Sequence, residues 1–244
     1  MDILVLADIH GNYPALAAVD CFFQVKRFDL IINCGDSTVY GPFPNETLQW
    51  LKKRMALSIL GNTDKKVIRL MKGKTFKKPK KEEKRIMYSW TKEALTDESK
   101  QYLLQCKKQL SINLSRYEPR LKQKLFVFHG SPDDPNEFLF SDTPMSRFQQ
   151  LAGKFTDAII LVGHSHTPFH KTISSTHFVN PGSVGRMFDG NPRASCATLH
   201  LTPDSFDVQH FRIPYPVQQV VEGIKKNNLP DIYATMYILG KKLN

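Results

Sequence analysis

The sequence predicts an α/β fold, a sheet with parallel strands and helices on its faces. Three observations carry that expectation. Short apolar runs alternate with helix-spaced segments in β-α-β-α-β order over residues 3–64. Several of those runs, and others further on, stop at turns rich in Gly, Asp, Asn and His, where ligands gather on open α/β sheets. The chain has 244 residues, 41% hydrophobic and 23% charged. That excludes collagen-like, low-complexity and wholly disordered chains, and suffices for a core without disulfide staples.

Taken in order, Ile3 to Ala7 reads as a buried strand, and Pro14 to Val25 as a helix with Pro14 in its first turn. Leu30 to Cys34 is the second strand. Pro44 to Met55 has helical spacing at Leu48, Leu51 and Met55; Leu57 to Leu60 is a third short strand, and Asp64 starts another helix. The pattern then changes. Lys74 to Lys124 is polar, basic and helix-prone, with helices expected over Tyr88–Ala94 and Asp97–Lys107 and Thr96 as the N-cap between them. This stretch reads as a helical insertion or cap within one domain spanning 1–244. Strands return at Lys124–Phe128, Ala158–Val162, Phe169–Ile173, Thr176–Val179, Ala194–Leu201 and Ser205–Phe211. Two short helices near Val217–Lys226 and Asp231–Leu239, within about 214–240, close the chain.

The formal charge is +11 and is unevenly spread. Between Lys65 and Arg85 eleven Lys and Arg face only Glu82 and Glu83, so this run carries +9 of the total. Gly73 and Pro79 break it, so it reads as a basic loop, solvated or forming a wall that draws an anionic substrate. Cys21, Cys34, Cys106 and Cys196 form no C-x-x-C pair and read as reduced thiols of a cytoplasmic protein. No basic region precedes the apolar run after Met1, unlike a secretory leader, and no run is long enough to cross a bilayer.

The chemistry sits at the strand ends. Asp8-Ile9-His10 follows the first strand, Gly35-Asp36 the second and Gly61-Asn62-Thr63-Asp64 the third; His129-Gly130 and Gly163-His164-Ser165-His166 follow two later ones. Singly, each has a structural explanation as a cap or turn residue. Together, four imidazoles, two carboxylates and an amide oxygen make a mixed N/O donor set without thiolates. Such a set suits Mn foremost, and Fe, Zn or Ni, better than an all-oxygen Ca or Mg cage. Seven residues serve two divalent ions only if one carboxylate is shared. Ser131 has no ordered base around it, which disfavours a serine hydrolase. Arg186 and Arg193 are candidate phosphate clamps, the Asn180 to Gly185 turn is a candidate anion nest or a plain tight turn, and Phe138, Phe140, Phe169 and Phe188 are core or wall candidates.

In order and type, Asp8-x-His10, Gly35-Asp36, Gly61-Asn62-x-Asp64, His129 and Gly163-His164-x-His166 resemble the five motifs of calcineurin-like metallophosphoesterases. The Asn180-Pro181-Gly182-Ser183-Val184-Gly185 stretch, followed by Asp189-Gly190-Asn191-Pro192-Arg193-Ala194, looks like their compact prokaryotic phosphodiesterase branch. The resemblance implies a four-layer αββα sandwich. It also implies one metal on Asp8, His10, Asp36 and His166, a second on Asp36, Asn62, His129 and His164, and attack on phosphorus by a hydroxide the metals share. Asp36, Asn62, Asp64 and His129 are the expected catalytic residues, Asp64 by bracing a ligand histidine or else by capping its helix. Where many members carry a histidine after the motif Asn, this chain has Thr63, which leaves the acid for the leaving group unassigned. The implied substrate is a small phosphate ester, a nucleotide-like diester before a phosphoprotein. Two other readings stand beside it: a metal-binding scaffold without strong catalysis, and a nucleic-acid binder or nuclease using residues 65–85. The latter has little aromatic interleaving beyond Phe76 for base stacking.

Overall fold

The computed structural model describes residues 1–23 and 28–244. Two five-stranded mixed sheets pack face to face, each covered on its outer side by helix.

The first sheet is built from β1 (Asp2–Leu6), β2 (Leu30–Asn33), β3 (Leu57–Ser58), β9 (Ala194–Leu201) and β10 (Phe206–Ile213), in the order β10-β9-β1-β2-β3. β1, β2 and β3 run parallel, as the alternation predicts, while β9 and β10 add an antiparallel edge. The second sheet comprises β4 (Leu110–Asn113), β5 (Lys124–Val127), β6 (Ala158–Leu161), β7 (Phe169–Ile173) and β8 (Thr176–Asn180), in the order β4-β5-β6-β8-β7, with β5, β6 and β8 parallel.

Alternation along each strand assigns its two faces. Ile3, Val5, Ile32, Leu125, Val127, Ile159, Leu161, Ala197 and Leu199 fill the layer between the sheets. Leu4 and Leu6 face the other way, against α1 (Tyr13–Phe22), α2 (Pro44–Lys53), α7 (Val217–Lys226) and α8 (Asp231–Leu239). Each such fully buried aliphatic side chain contributes about 1.5–3 kcal/mol relative to exposure.

The Thr96 cap acts where the sequence places it, and the structure adds one at Asn12. Asn12 caps α1, its side-chain oxygen accepting from the Ala15 N–H at 3.1 Å, and Thr96 caps α5 (Asp97–Gln105) through the Ser99 N–H at 3.3 Å. Boundaries moved more than elements. α2 stops at Lys53 because Met55 turns into the left-handed region (φ 52°). The expected strand over Leu57–Leu60 is ladder only at Leu57–Ser58, after which Ile59 bridges to Lys107. The expected α1 terminus at Val25 lies outside the described residues.

Three differences bear on the site. α3 (Asn62–Met71) starts two residues earlier than Asp64, so Asn62 lies in its first turn. The basic run is not all loop: α3 takes its first third, and α4 (Glu82–Ala94) its end, because Glu82 and Glu83 supply the acidic first turn a helix N-terminus favours. The 74–124 stretch is not helical throughout either, since Leu110–Asn113 pairs antiparallel with β5. Helix α6 (Met145–Ala152) was not expected; it follows Pro144 and buries Phe148 and Leu151 on the outer face of the second sheet.

Candidate metal centre

Register alone brings the strand ends together. Pairing of Leu6 with Asn33 sets Asp8 beside Gly35, whose carbonyl accepts the Asp8 N–H at 2.9 Å, and the His10 N–H reaches the Asp36 carbonyl at 2.9 Å. In the second sheet Val127 pairs with Leu161, and the Gly163 N–H donates to the His129 carbonyl at 2.9 Å. All seven predicted side chains converge at the carboxyl ends of the two sheets. Asp8, His10 and His166 form one buried group of potential ligand atoms, and Asp36, His129 and His164 a second. Asn62 joins the second group, its Oδ1 lying 3.0 Å from His129 Nε2. Asp36 Oδ2 faces both groups, 3.4 Å from His129 Nε2 and 3.9 Å from His10 Nε2.

The backbone is held in an unusual state to achieve this. Asp8, His10, Asp36, His164 and His166 all have positive φ, between 52° and 66°. For residues with a Cβ that region costs roughly 1 kcal/mol or more each, and such outliers cluster at functional sites.

Hydrogen bonds fix the tautomers. His10 Nδ1 lies 3.0 Å from the Val39 carbonyl, His129 Nδ1 is 2.9 Å from the Cys34 carbonyl, and His166 Nδ1 contacts the Arg186 carbonyl. A carbonyl only accepts, so each Nδ1 carries hydrogen and each Nε2 turns inward. His164 is reversed: its Nε2 donates to the Asn136 carbonyl at 3.2 Å, leaving Nδ1 for the site.

The His10 and His166 Nε2 atoms lie 3.2 Å apart, and burial holds both rings neutral, His10 down at about 3. Two lone pairs therefore face each other next to Asp8 Oδ1, which is buried and has no hydrogen-bond partner. A cation between them resolves both conflicts, so the residues present fit a divalent metal.

Burial pushes Asp8 up to about 8, against the lowering effect of His129. Burial works against the charged His129 ring, but the Asp36 carboxylate beside it outweighs that and raises it to about 9. At neutral pH the metal-free site thus holds protons on Asp8 and His129 that a divalent ion must displace. Metal uptake is expected to release up to two protons per chain near pH 7. Affinity then rises steeply between about pH 6 and 8 and levels off above about 9. Calorimetric titration of Mn into the metal-free protein, in buffers of different ionisation enthalpy, measures the release; uptake with no proton exchange would contradict this electrostatic picture.

Other expectations are corrected or sharpened. Asp64 does not brace a histidine in this geometry. Its carboxylate accepts from the Gly61 N–H (3.2 Å), the Ser37 N–H (3.1 Å) and the Thr38 hydroxyl (2.9 Å), which caps α3 and pins the loop carrying Asp36. Thr63 donates its N–H to Asp36 Oδ1 at 2.8 Å, and its hydroxyl is buried without a partner. Two donors of the Asn180–Gly185 turn go to the loop after β1: the Ser183 hydroxyl and the Gly185 N–H both donate to the Asp8 carbonyl, at 2.7 and 3.1 Å. Ser131 closes a turn with Asp133 and Asp134. Arg193 is exposed, whereas Arg186 is buried with its guanidinium 4.2 Å from the Tyr40 ring centroid. Phe169 is core. Phe138 stacks on His164 at 4.1 Å and Phe188 on His166 at 4.4 Å, so these two flank the ligand histidines. The carbonyls of Cys34, Val39, Asn136 and Arg186 had no sequence signal, because any residue type supplies a carbonyl.

Residues 1–204 match the model of the calcineurin-like phosphoesterase superfamily domain. An uncharacterized protein of Methanocaldococcus jannaschii is 29% identical over 98% of both chains. The crystal structure of a metallophosphoesterase from Sphaerobacter thermophilus shares 26% identity with a TM-score of 0.78, covering 98% of this chain and 99% of that one. A hypothetical protein from Pyrococcus horikoshii has the same fold, with a TM-score of 0.85 at 20% identity over 99% of each chain. Among the described residues no helix is long and apolar enough to cross a membrane. With its αββα layers and its two donor groups at the strand ends, this chain belongs to the calcineurin-like phosphoesterase superfamily.

Proposed function

We propose that this phosphoesterase is a two-metal phosphodiesterase acting on a small, nucleotide-like phosphate ester. Asp8, His10, Asp36 and His166 hold one divalent ion; Asp36, Asn62, His129 and His164 hold the other. The observation that carries this reading is the Asp36 carboxylate, set between two donor groups, in one of which the neutral His10 and His166 Nε2 atoms face each other at 3.2 Å with no proton between them. Mn is the first choice for this N/O set, ahead of Fe, Zn or Ni.

A bound pair of divalent ions would supply an acidified water as nucleophile and would neutralise charge on the phosphate oxygens. The chain's own residues arrange the rest. Thr63 N–H fixes one oxygen of Asp36 and so turns the other toward both donor groups. Carbonyl-bound Nδ1–H groups keep the His10, His129 and His166 rings in one orientation, so little reorganisation is needed at the moment of reaction. Asn62 orients through its side-chain oxygen. Thr63 is too weak an acid to protonate a leaving group near neutral pH, so esters with good leaving groups suit this site best. The preference for diesters rests on the resemblance to the compact prokaryotic branch.

Metal analysis of purified protein, followed by assays with Mn on bis-p-nitrophenyl phosphate and p-nitrophenyl phosphate, tests the reading. Two metals per chain and faster turnover of the diester are expected. Two bound metals without hydrolysis of either ester would leave a scaffold instead.

A further inference from the structure

Helix α3 starts at the metal centre and leads away from it. Asn62 lies in its first turn; Lys66 is one turn on along the same face, and Arg69 and Leu70 one turn further. At 1.5 Å per residue, Arg69 is about 10 Å along the axis from Asn62. At that distance a cleft of about 270 Å³ opens between α3 and the segment that follows, lined by Lys66, Arg69, Leu70, Thr75, Phe76, Lys77 and Lys78. Four of its seven lining residues are cationic and none is acidic. Lys66 belongs to both places: it lines the cleft, and its charge and that of Asp36 act on each other.

We infer that this cleft is an anion subsite of the same active site, and that the substrate is a phosphate ester carrying further phosphate groups about 6–10 Å from the scissile one, the axial span from Lys66 to Arg69. The inference rests on the two-metal reading above and narrows its substrate class. A cleft of one charge sign, one to two helical turns beyond a metal site, concentrates polyanions and fixes which end of the molecule meets the metals. A nucleic-acid strand fits less well. Strand binding without sequence preference uses free aromatic faces, whereas Phe76, the cleft's one aromatic residue, is half-buried, with the Arg85 guanidinium 5.7 Å from its ring centroid and the Tyr88 ring at 6.2 Å.

Two measurements test it on the full chain. The first is calorimetric binding of inorganic tripolyphosphate to the metal-free protein, which is independent of turnover. The triple variant Arg69→Gln, Lys77→Gln, Lys78→Gln is expected to bind roughly tenfold more weakly or worse. The variant Lys72→Gln, Lys74→Gln, Lys80→Gln removes the same charge outside the cleft and is expected to stay within about threefold of wild type. The second is the ratio of kcat/KM for a γ-p-nitrophenyl ester of a nucleoside triphosphate to that for bis-p-nitrophenyl phosphate. This ratio should fall about tenfold or more in the cleft variant only. Equal weakening in both variants means unspecific charge attraction and overturns the subsite, as does a twelve-residue oligothymidylate that binds more tightly than tripolyphosphate. Normal tripolyphosphate selectivity with no hydrolysis of either ester would count against the phosphodiesterase reading instead.

Discussion

Asp36→Asn is expected to lower phosphodiester turnover by roughly 10³-fold or more and to leave the protein short of its second metal. Losing a residue that merely orients a ligand typically costs about 10–100-fold, and losing one preorganised group that stabilises transition-state charge about 10²–10³-fold. Asp36 faces both donor groups, so its loss weakens two sites together. Asparagine keeps an oxygen for the Thr63 N–H, now 2.8 Å from Oδ1, so the loop has no reason to rearrange. Asp36→Ala removes that acceptor as well, so equal damage from the two variants, at unchanged melting temperature, would isolate the charge as the cause. Metal content by mass spectrometry, read alongside hydrolysis of bis-p-nitrophenyl phosphate, checks the prediction. Near-normal activity with two metals bound would reject the bridging role.

Gly185→Ala should damage the protein by a different route, in stability as well as in rate. A Cβ at this position would sit 2.6 Å from the Ile9 carbonyl carbon, closer still to its oxygen, and 3.1 Å from the Asn12 Cβ. The obstacle is backbone, so no rotamer relieves it. Ile9 lies between Asp8 and His10, and the Gly185 N–H already donates to the Asp8 carbonyl. Overpacking costs about 1–3 kcal/mol, and a backbone obstacle belongs at the upper end. For a chain of this size that is a fall of about 6–12 °C in melting temperature. The displaced loop carries two potential ligands, and a misplacement of about 1 Å costs up to 10²-fold in rate. Thermal melts and metal-dependent turnover measure the two effects; a variant with wild-type melting temperature and activity would show that the two loops are not in this contact.

The positions of the seven donors were legible because their signal is compositional: each follows an apolar run, and strand ends on one sheet edge meet. How they are held was not. Asp8, His10, Asp36, His164 and His166 adopt left-handed backbone, which sequence announces only through glycine, and none of these is glycine. The carbonyls that fix the histidine tautomers come from Cys34, Val39, Asn136 and Arg186, where the side chain is irrelevant. Asp64 shows the limit of motif reading: its place in the Asn62-x-Asp64 frame is compatible with bracing or with capping, and only hydrogen-bond geometry separates them. α6 was readable in hindsight from Pro144 and the spacing of Phe148, Leu151 and Ala152, but the surrounding polar turns masked it. β4 was hidden by its own brevity: four residues give too little alternation to stand against a helix-prone background.

Each donor group draws on both halves of the sandwich. Asp8 and His10 come from the loop after β1, and their companion His166 from the one after β6; Asp36 follows β2, while His129 and His164 extend from β5 and β6. Cations bound there would work as rivets through two stacked plates, opposing shear across a middle layer of non-directional apolar contact. At an ion concentration about a thousandfold above the dissociation constant, each rivet adds roughly 4 kcal/mol to the native state. The chemistry and the mechanical integrity of the molecule would then share the same fasteners.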